Sequence, residues 1–245
     1  MHIVTNLLAI ETSTERLSLA VRCGESTLVR EVDAGQRHSE LTLPLLYELL
    51  DEANISLQQL DAIAFGQGPG SFTGVRIACG LTQGLALGLG KPVLAIPTQM
   101  ALAEQQASGN VLVAIDARMG EIYVAAYQRD KDAATGWHTA IAPMLVKPEA
   151  LPQLTGCDWS GIGSAFDVAT LSAALTHRYG QQLNNVVLQA LPRATDVVAI
   201  AARQLALAGI ACAIKPEHAA PLYLRNKVAM TIEERKVHHA SKAAA

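Results

Sequence analysis

The sequence predicts an α/β fold built from two lobes that open with the same strand–turn–strand unit. Residues 7–22 hold an apolar run, an acid, a polar turn and an alternating strand, and residues 111–127 repeat that order. Asp116 aligned on Glu11 brings the apolar positions of the two second strands into register. We favour duplication of one unit, and the alternative is a coincidence between two common strand patterns.

The composition provides for a buried core and excludes several classes of protein. Half of the 245 residues are hydrophobic and 17% are charged, which excludes a disordered chain. The formal net charge of −3 argues against a protein that works mainly by binding phosphate backbones. The four cysteines form no C-x-x-C pair, the opening residues lack a cationic segment, and the apolar runs are short. We therefore expect a cytoplasmic protein with reduced thiols and no membrane span.

Strands and helices alternate through the first half of the chain. Residues 7–10 are apolar throughout, as in a strand buried on both faces. Residues 38–53 place leucines at helical spacing. In chain order we expect strands at 7–10, 17–22 and 27–31, a helix at 38–53, a strand at 61–65, a helix at 71–89, a strand at 91–97 and a helix at 98–107.

The second half of the chain is less regular. After the hairpin at 111–127, residues 129–192 mix proline, glycine and polar residues and predict only one helix, at 166–178. Residues 195–208 predict an amphipathic helix. The expected domains are an N-terminal lobe of 1–107 plus 193–236, a smaller second lobe of 108–192 and a tail of 237–245.

The glycine-rich segment 66–74 (GQGPGSFTG) leads into the second long helix. Such turns expose backbone N–H groups and the positive end of a helix dipole, which suits an anion. No lysine follows the last glycine, as it does in a P-loop. The other explanation, which the composition favours, is that Gly68 and Gly70 adopt positive φ angles and Pro69 stiffens the turn.

The helix after this turn carries a row of small residues. Arg76 is the only charged residue from Ala62 through Gly90, so most of the helix surface is expected to be covered. Gly80, Gly84 and Gly88 recur every four residues, at a cost of about 1 kcal/mol each relative to alanine. Small residues at this spacing let another backbone approach closely. That backbone belongs either to the interior of the lobe or to a second protein.

Polar residues follow the first strand of each lobe, where α/β folds place functional groups. They are Glu11, Thr12, Ser13 and Asp116. Facing each other across two lobes they would flank a nucleotide and its metal, and the alternative is that they cap turns. A helical histidine pair for a metal is missing, because Thr42 stands four residues after His38. The lack of a complete catalytic set favours a partner subunit over an enzyme.

Five segments together resemble the TsaB (YeaZ) family of the bacterial tRNA threonylcarbamoyladenosine pathway. The segments are LLAIETSTERLSLAV, GQRHSELTLPLL, GQGPGSFTGVRIACGLTQGLALG, AIDARMGEIYVAAY and PLYLRN. The resemblance runs from about residue 7 to 227 and is loose over 129–192. It implies the two-lobed, actin-like ATPase fold of Hsp70 and sugar kinases.

The resemblance also implies a role without catalysis. Members of the family bind the catalytic subunit TsaD, which transfers threonylcarbamoyl from threonylcarbamoyl-AMP to N6 of adenosine 37 in tRNAs that read codons beginning with A. The small ATPase TsaE joins the complex, tRNA is reached only through the complex, and the subunit alone forms a homodimer. No metal, cofactor or membrane is implied, and the polar residues of the cleft are a degenerate nucleotide site.

The family's partner interface consists of the first two helices of the N-terminal lobe, here 38–53 and 71–88. The expected contact residues are Leu41, Leu45, Leu46, Leu49, Phe72, Arg76, Cys79 and Gln83. Two alternatives are an enzyme, either a metallopeptidase (glycoprotease) or a stand-alone ATPase, and a protein that binds tRNA directly. The basic residues that would support direct tRNA binding are Arg225, Lys227, Arg235 and Lys236.

Overall fold

The computed structural model describes residues 6–107 and 109–225. The strands are β1 (Asn6–Glu11), β2 (Arg16–Cys23), β3 (Ser26–Asp33), β4 (Ala62–Gly66), β5 (Val93–Ile96), β6 (Asn110–Asp116), β7 (Ile122–Arg129), β8 (Trp137–Val146), β9 (Trp159–Ile162) and β10 (Leu183–Val187). The α-helices are α1 (His38–Glu52), α2 (Phe72–Leu89), α3 (Thr98–Glu104), α4 (Ala169–Tyr179) and α5 (Ala194–Ala208). The predicted tail (237–245) and Lys227, Arg235 and Lys236 lie outside the described residues.

The strands form two five-stranded sheets with the same topology. The first has the order β3-β2-β1-β4-β5 and the second the order β8-β7-β6-β9-β10. In each sheet the first three strands are antiparallel neighbours, and the fourth and fifth run parallel to the first. The predicted fold class is therefore confirmed: the chain is an α/β protein with two duplicated lobes of the actin-like type.

The apolar core lies in three clusters, one between the sheets and one on the far side of each. Alternate residues of β1 divide between two of them: Leu7 and Ala9 face the inner cluster, and Leu8 and Ile10 face the outer cluster beneath α1 and α2. This two-sided burial explains the uninterrupted apolar run of β1. The inner cluster also contains residues of α3, α5 and the second sheet, so the lobes share one apolar core.

The first strands of the two hairpins, β1 and β6, are shifted by one residue relative to the sequence alignment. Glu11 is two positions beyond Ala9, on the face of β1 that lines the inner cluster. On β6 the residue packed against that cluster is Ile115, so Asp116 lies on the opposite face. The alignment of Asp116 with Glu11 was therefore wrong by one residue. The turn after β1 has four residues and the turn after β6 has five, which accounts for the shift.

Three strands of the second lobe were missed from the sequence. β8, β9 and β10 all lie in the segment that showed no pattern. The predicted helix at 166–178 corresponds to α4, which begins three residues later and ends one residue later. β10 is an edge strand with three exposed residues in the middle, and β8 is also an edge strand that is buried only at its start. Edge strands with little burial carry a weak hydrophobic alternation, which is the signal that sequence patterns depend on.

Helix α5 returns to the first lobe and packs on β1, β2 and β4. Beside it, Glu104 at the end of α3 ties the lobes together: it pairs with Arg203 of α5 at 2.6 Å and with Arg129 of β7 at 3.0 Å. The indole N–H of Trp137, at the start of β8, donates a third bond to Glu104 at 2.6 Å. Although burial alone would raise the pKa of Glu104, these bonds, with Arg203 foremost, hold it below its ordinary value.

Two helical stretches satisfy a length and hydropathy criterion for crossing a membrane. They are Phe72–Leu89 and Ala194–Cys212, and 33% and 22% of these windows are buried. Both contain residues that pack on a sheet, and the core helices of folded domains satisfy the same criterion.

Candidate functional site

A cleft of about 1160 Å³ lies between the two lobes. The first lobe contributes the β1–β2 turn, the start of α1, the glycine-rich loop and the first turns of α2. The second lobe contributes the end of β6 with its turn and residues 164–168. The segment 222–225 completes the lining. Of the four polar residues expected in a degenerate nucleotide site, Ser13 and Asp116 line this cleft, and Glu11 and Thr12 do not.

The glycine-rich loop is packed against the chain's own β1–β2 turn. A Cβ on Gly74 would overlap the carbonyl oxygen of Thr12, and one on Gly70 would meet Ser13. The hydroxyl of Thr12 donates to the Gly74 carbonyl at 2.7 Å, and the N–H of Ser71 donates to the Ser13 carbonyl at 2.7 Å. Gly70 and Gly74 are therefore needed for close packing against this turn. Gly68 has the expected positive φ of 94°, whereas the positive φ expected at Gly70 was wrong.

Glu11 lies beneath this loop and is buried. Its carboxylate accepts bonds from the Ser13 N–H at 2.6 Å and from the Thr98 hydroxyl at 3.2 Å. A Cβ on Gly66 would overlap the same carboxylate, so glycine is needed there too. Burial raises the pKa of Glu11 above its ordinary value. This acid therefore supports the loop from below and does not face the cleft.

Asp116 is held within its own turn. Its carboxylate accepts a bond from the backbone N–H of Arg118 at 2.8 Å and pairs with the Arg118 guanidinium at 3.1 Å. The Asp116 N–H donates to the Ser164 hydroxyl at 3.1 Å. These contacts are those of a residue that caps a turn, which was the alternative to nucleotide binding.

The metal-binding alternative finds no support in the described part of the chain. His38 is buried at the start of α1, and the Thr42 hydroxyl donates to its backbone carbonyl at 2.5 Å. Within residues 6–107 and 109–225, no group of three or more His, Cys, Asp or Glu side chains is placed to hold a metal ion.

The expected interface residues divide by burial. Leu46, Leu49 and Cys79 are buried in the outer cluster and have no side-chain surface for a partner. Phe72 and Arg76 are exposed. The remaining three are half-buried and are Leu41, Leu45 and Gln83. The assignment of the three buried residues is thus corrected, because α1 and α2 each turn one leucine- or alanine-rich side towards the sheet.

Exposed apolar side chains on these helices were missed from the sequence. Leu43 and Tyr47, one turn apart on α1, are 36% and 51% exposed, and Leu87 on α2 is 56% exposed. The i, i+4 spacing of Leu43 and Tyr47 was the available signal, but the same helix has a longer stripe of leucines that dominates the pattern. These three residues, with Gly80 and Gly84, define the surface called the docking face below.

The glycine row of α2 has no role in the interior of the fold. A Cβ on Gly80, Gly84 or Gly88 would have no heavy atom within 4 Å, and all three residues are exposed. Packing inside the lobe, one of the two explanations for the row, is therefore wrong. Since three helical glycines lower helix stability, the face that they leave open needs a reason outside the isolated chain.

Comparison with known proteins identifies the family. A family model described as TsaD, tRNA N6-adenosine threonylcarbamoyltransferase, matches residues 31–233. The Escherichia coli K12 protein named tRNA threonylcarbamoyladenosine biosynthesis protein TsaB is 38% identical over 91% of this chain and 96% of its own length. The Haemophilus influenzae protein of the same name is 37% identical over 91% and 94%.

A solved structure agrees with these relatives. The structure of YeaZ from Pseudomonas aeruginosa matches with a TM-score of 0.78 at 35% identity and covers 90% of this chain and 100% of that one. Because 90% of this chain is covered, the match extends into both lobes. The chain belongs to the TsaB (YeaZ) family of tRNA threonylcarbamoyladenosine biosynthesis proteins.

Proposed function

We propose that this chain is the non-catalytic subunit of the complex that forms N6-threonylcarbamoyladenosine at position 37 of tRNAs reading codons that begin with A. It binds the catalytic subunit TsaD and supports transfer of threonylcarbamoyl from threonylcarbamoyl-AMP, with TsaE as the third component. tRNA is reached through the complex, which acts in the cytoplasm. Membership in the TsaB family and the match to the TsaD family model support this proposal.

The single observation that carries the proposal is the docking face. It combines exposed apolar side chains on α1 and α2 with a row of glycines. These glycines lower helix stability, and no contact inside the chain offsets that loss. Close helix–helix contact requires small residues at this spacing, and exposed apolar patches mark protein interfaces. A pair of helices from TsaD fits these features, and a second copy of this chain occupies the same face when TsaD is absent.

The division of the chain follows the same proposal. Of the described residues, 6–107 and 193–225 belong to the lobe that carries the docking face, and 109–192 belong to the second lobe. The packing of α5 on β1, β2 and β4 supports this assignment. The buried position of Glu11 and the internal partners of Asp116 favour a subunit whose cleft performs no reaction of its own.

The experiment compares binding of purified TsaD by three forms of the full chain in size-exclusion chromatography and calorimetry. Gly84→Leu adds bulk in the middle of the docking face, and Gly109→Leu makes the same change at an open position outside it. We expect wild type and Gly109→Leu to bind alike, and Gly84→Leu to bind about tenfold or more weakly. Equal binding by all three forms would contradict the proposed face.

A further inference from the structure

The segment Pro221–Arg225, part of the PLYLRN motif, has no function in the docking proposal, yet it contacts both lobes. Its first anchor is on the glycine-rich loop. The N–H of Leu222 donates to the carbonyl of Gln67 at 2.7 Å, and the side chain of Gln67 donates to the carbonyl of Ala220 at 3.4 Å. Residues 222–225 also line the cleft.

The second anchor is on the first turns of α2, beside the docking face. The guanidinium of Arg76 donates to the hydroxyl of Tyr223 at 2.7 Å. The same guanidinium lies 3.3 Å from the ring centroid of Phe72 and 5.3 Å from that of Tyr223. All three side chains are exposed, so a partner that covers the start of α2 touches the anchor as well.

The third anchor is in the second lobe, on the turn between β6 and β7. Arg225 pairs with Glu121 at 2.6 Å and donates to the carbonyl of Ala117 at 3.0 Å. Both charged side chains are three-quarters or more buried, which makes the pair stronger than a surface pair. Ala117 lines the cleft, so this anchor fixes one of the walls of the cleft.

We propose that Pro221–Arg225 is a strap that transmits partner binding on the docking face to the β6–β7 turn, and so to the cleft wall of the other lobe. Leu222 in the first anchor and Arg225 in the last are only three residues apart along the chain, a distance of at most about 10 Å. So short a link has little slack, and a shift of Tyr223 with α2 is passed to Arg225. Coupling of this kind is reciprocal, so the state of the turn also alters partner affinity. The inference rests on the docking proposed above.

The test is amide hydrogen exchange of the turn at 117–121, with and without purified TsaD. The amides of Ala117 and Glu121 are bonded within the turn and report its opening. Two variants cut the third anchor from opposite sides, Arg225→Ala and Glu121→Gln. Arg118→Ala is the matched control, because this arginine lies in the same turn and pairs with Asp116 inside it.

In the wild type and in Arg118→Ala we expect TsaD to slow exchange of the turn about tenfold, which corresponds to a coupling of about 1.4 kcal/mol. Both anchor variants are expected to bind TsaD within about twofold of wild type, or within 0.4 kcal/mol by the same conversion, and to lose the effect on the turn. The strap is refuted, and the docking proposal stands, if TsaD binds and still slows exchange of the turn in the anchor variants. The same holds if TsaD binds the wild type and exchange of its turn does not change. Absence of TsaD binding to the wild type refutes both.

Discussion

Replacing Gly84 with alanine is expected to stabilise the isolated chain. A Cβ at this position meets no heavy atom within 4 Å, so the substitution neither clashes nor buries new surface. Only helix propensity then changes, by about 1 kcal/mol in favour of alanine. Gly80 has the same surroundings, and the double variant should gain about 2 kcal/mol, which raises the melting temperature by about 4–8 °C for a chain of this size.

Gly74 in the same helix provides the matched control with the opposite sign. A Cβ there overlaps the carbonyl oxygen of Thr12, so Gly74→Ala should lower stability by about 1–3 kcal/mol. Urea denaturation followed by circular dichroism measures all three variants, at several protein concentrations because self-association adds to apparent stability. A loss of stability in the Gly84→Ala monomer would mean that this glycine packs internally, and the argument for the docking face would fail.

Three further predictions concern the lobe contacts and the glycine-rich loop. Burial raises the pKa of Asp196 to about 7, so the folded chain binds this proton more tightly than the unfolded chain does. The free energy of unfolding therefore falls as the pH rises from 3.8 to about 7. Urea titrations at several pH values should show that Asp196→Asn removes this pH dependence. Glu104→Gln leaves Arg203 without its anion and should lower the free energy of unfolding, measured by thermal unfolding, by about 2 kcal/mol. The same Glu→Gln change at an exposed glutamate is the control and should leave stability unchanged. Gly66→Ala forces a Cβ into the Glu11 carboxylate and should cost about 1–3 kcal/mol, part of which the shorter Glu11→Asp restores in the double variant; full stability of the single variant would contradict the packing described.

The fold class was predictable because burial on both faces leaves a strong mark on strands. The apolar run of β1 and the alternation of β2 recur in β6 and β7, and this repetition correctly indicated two lobes. The phase of the repeat was not predictable, since one extra residue in the turn before β7 moves Asp116 to the opposite face without changing the pattern.

The docking face shows a second limit of sequence patterns. Spacing places Leu46 and Leu49 on one side of α1, but it does not say whether that side faces a sheet or a partner. The burial of both leucines answers the question, and the smaller pair Leu43 and Tyr47 becomes the outward side. Gly84 gave the clearer signal, because its cost in a helix demanded an explanation before the structure was known.

The most direct test of the account is a threonylcarbamoylation assay with defined components. Purified TsaD, TsaE, threonylcarbamoyl-AMP and tRNA are combined with no further protein, with this chain, or with its Gly84→Leu variant. We expect modified adenosine when the wild-type chain accompanies TsaD, none when this chain is left out, and at least about tenfold less product with the variant. Equal amounts of modified tRNA with and without this chain would contradict the proposed role.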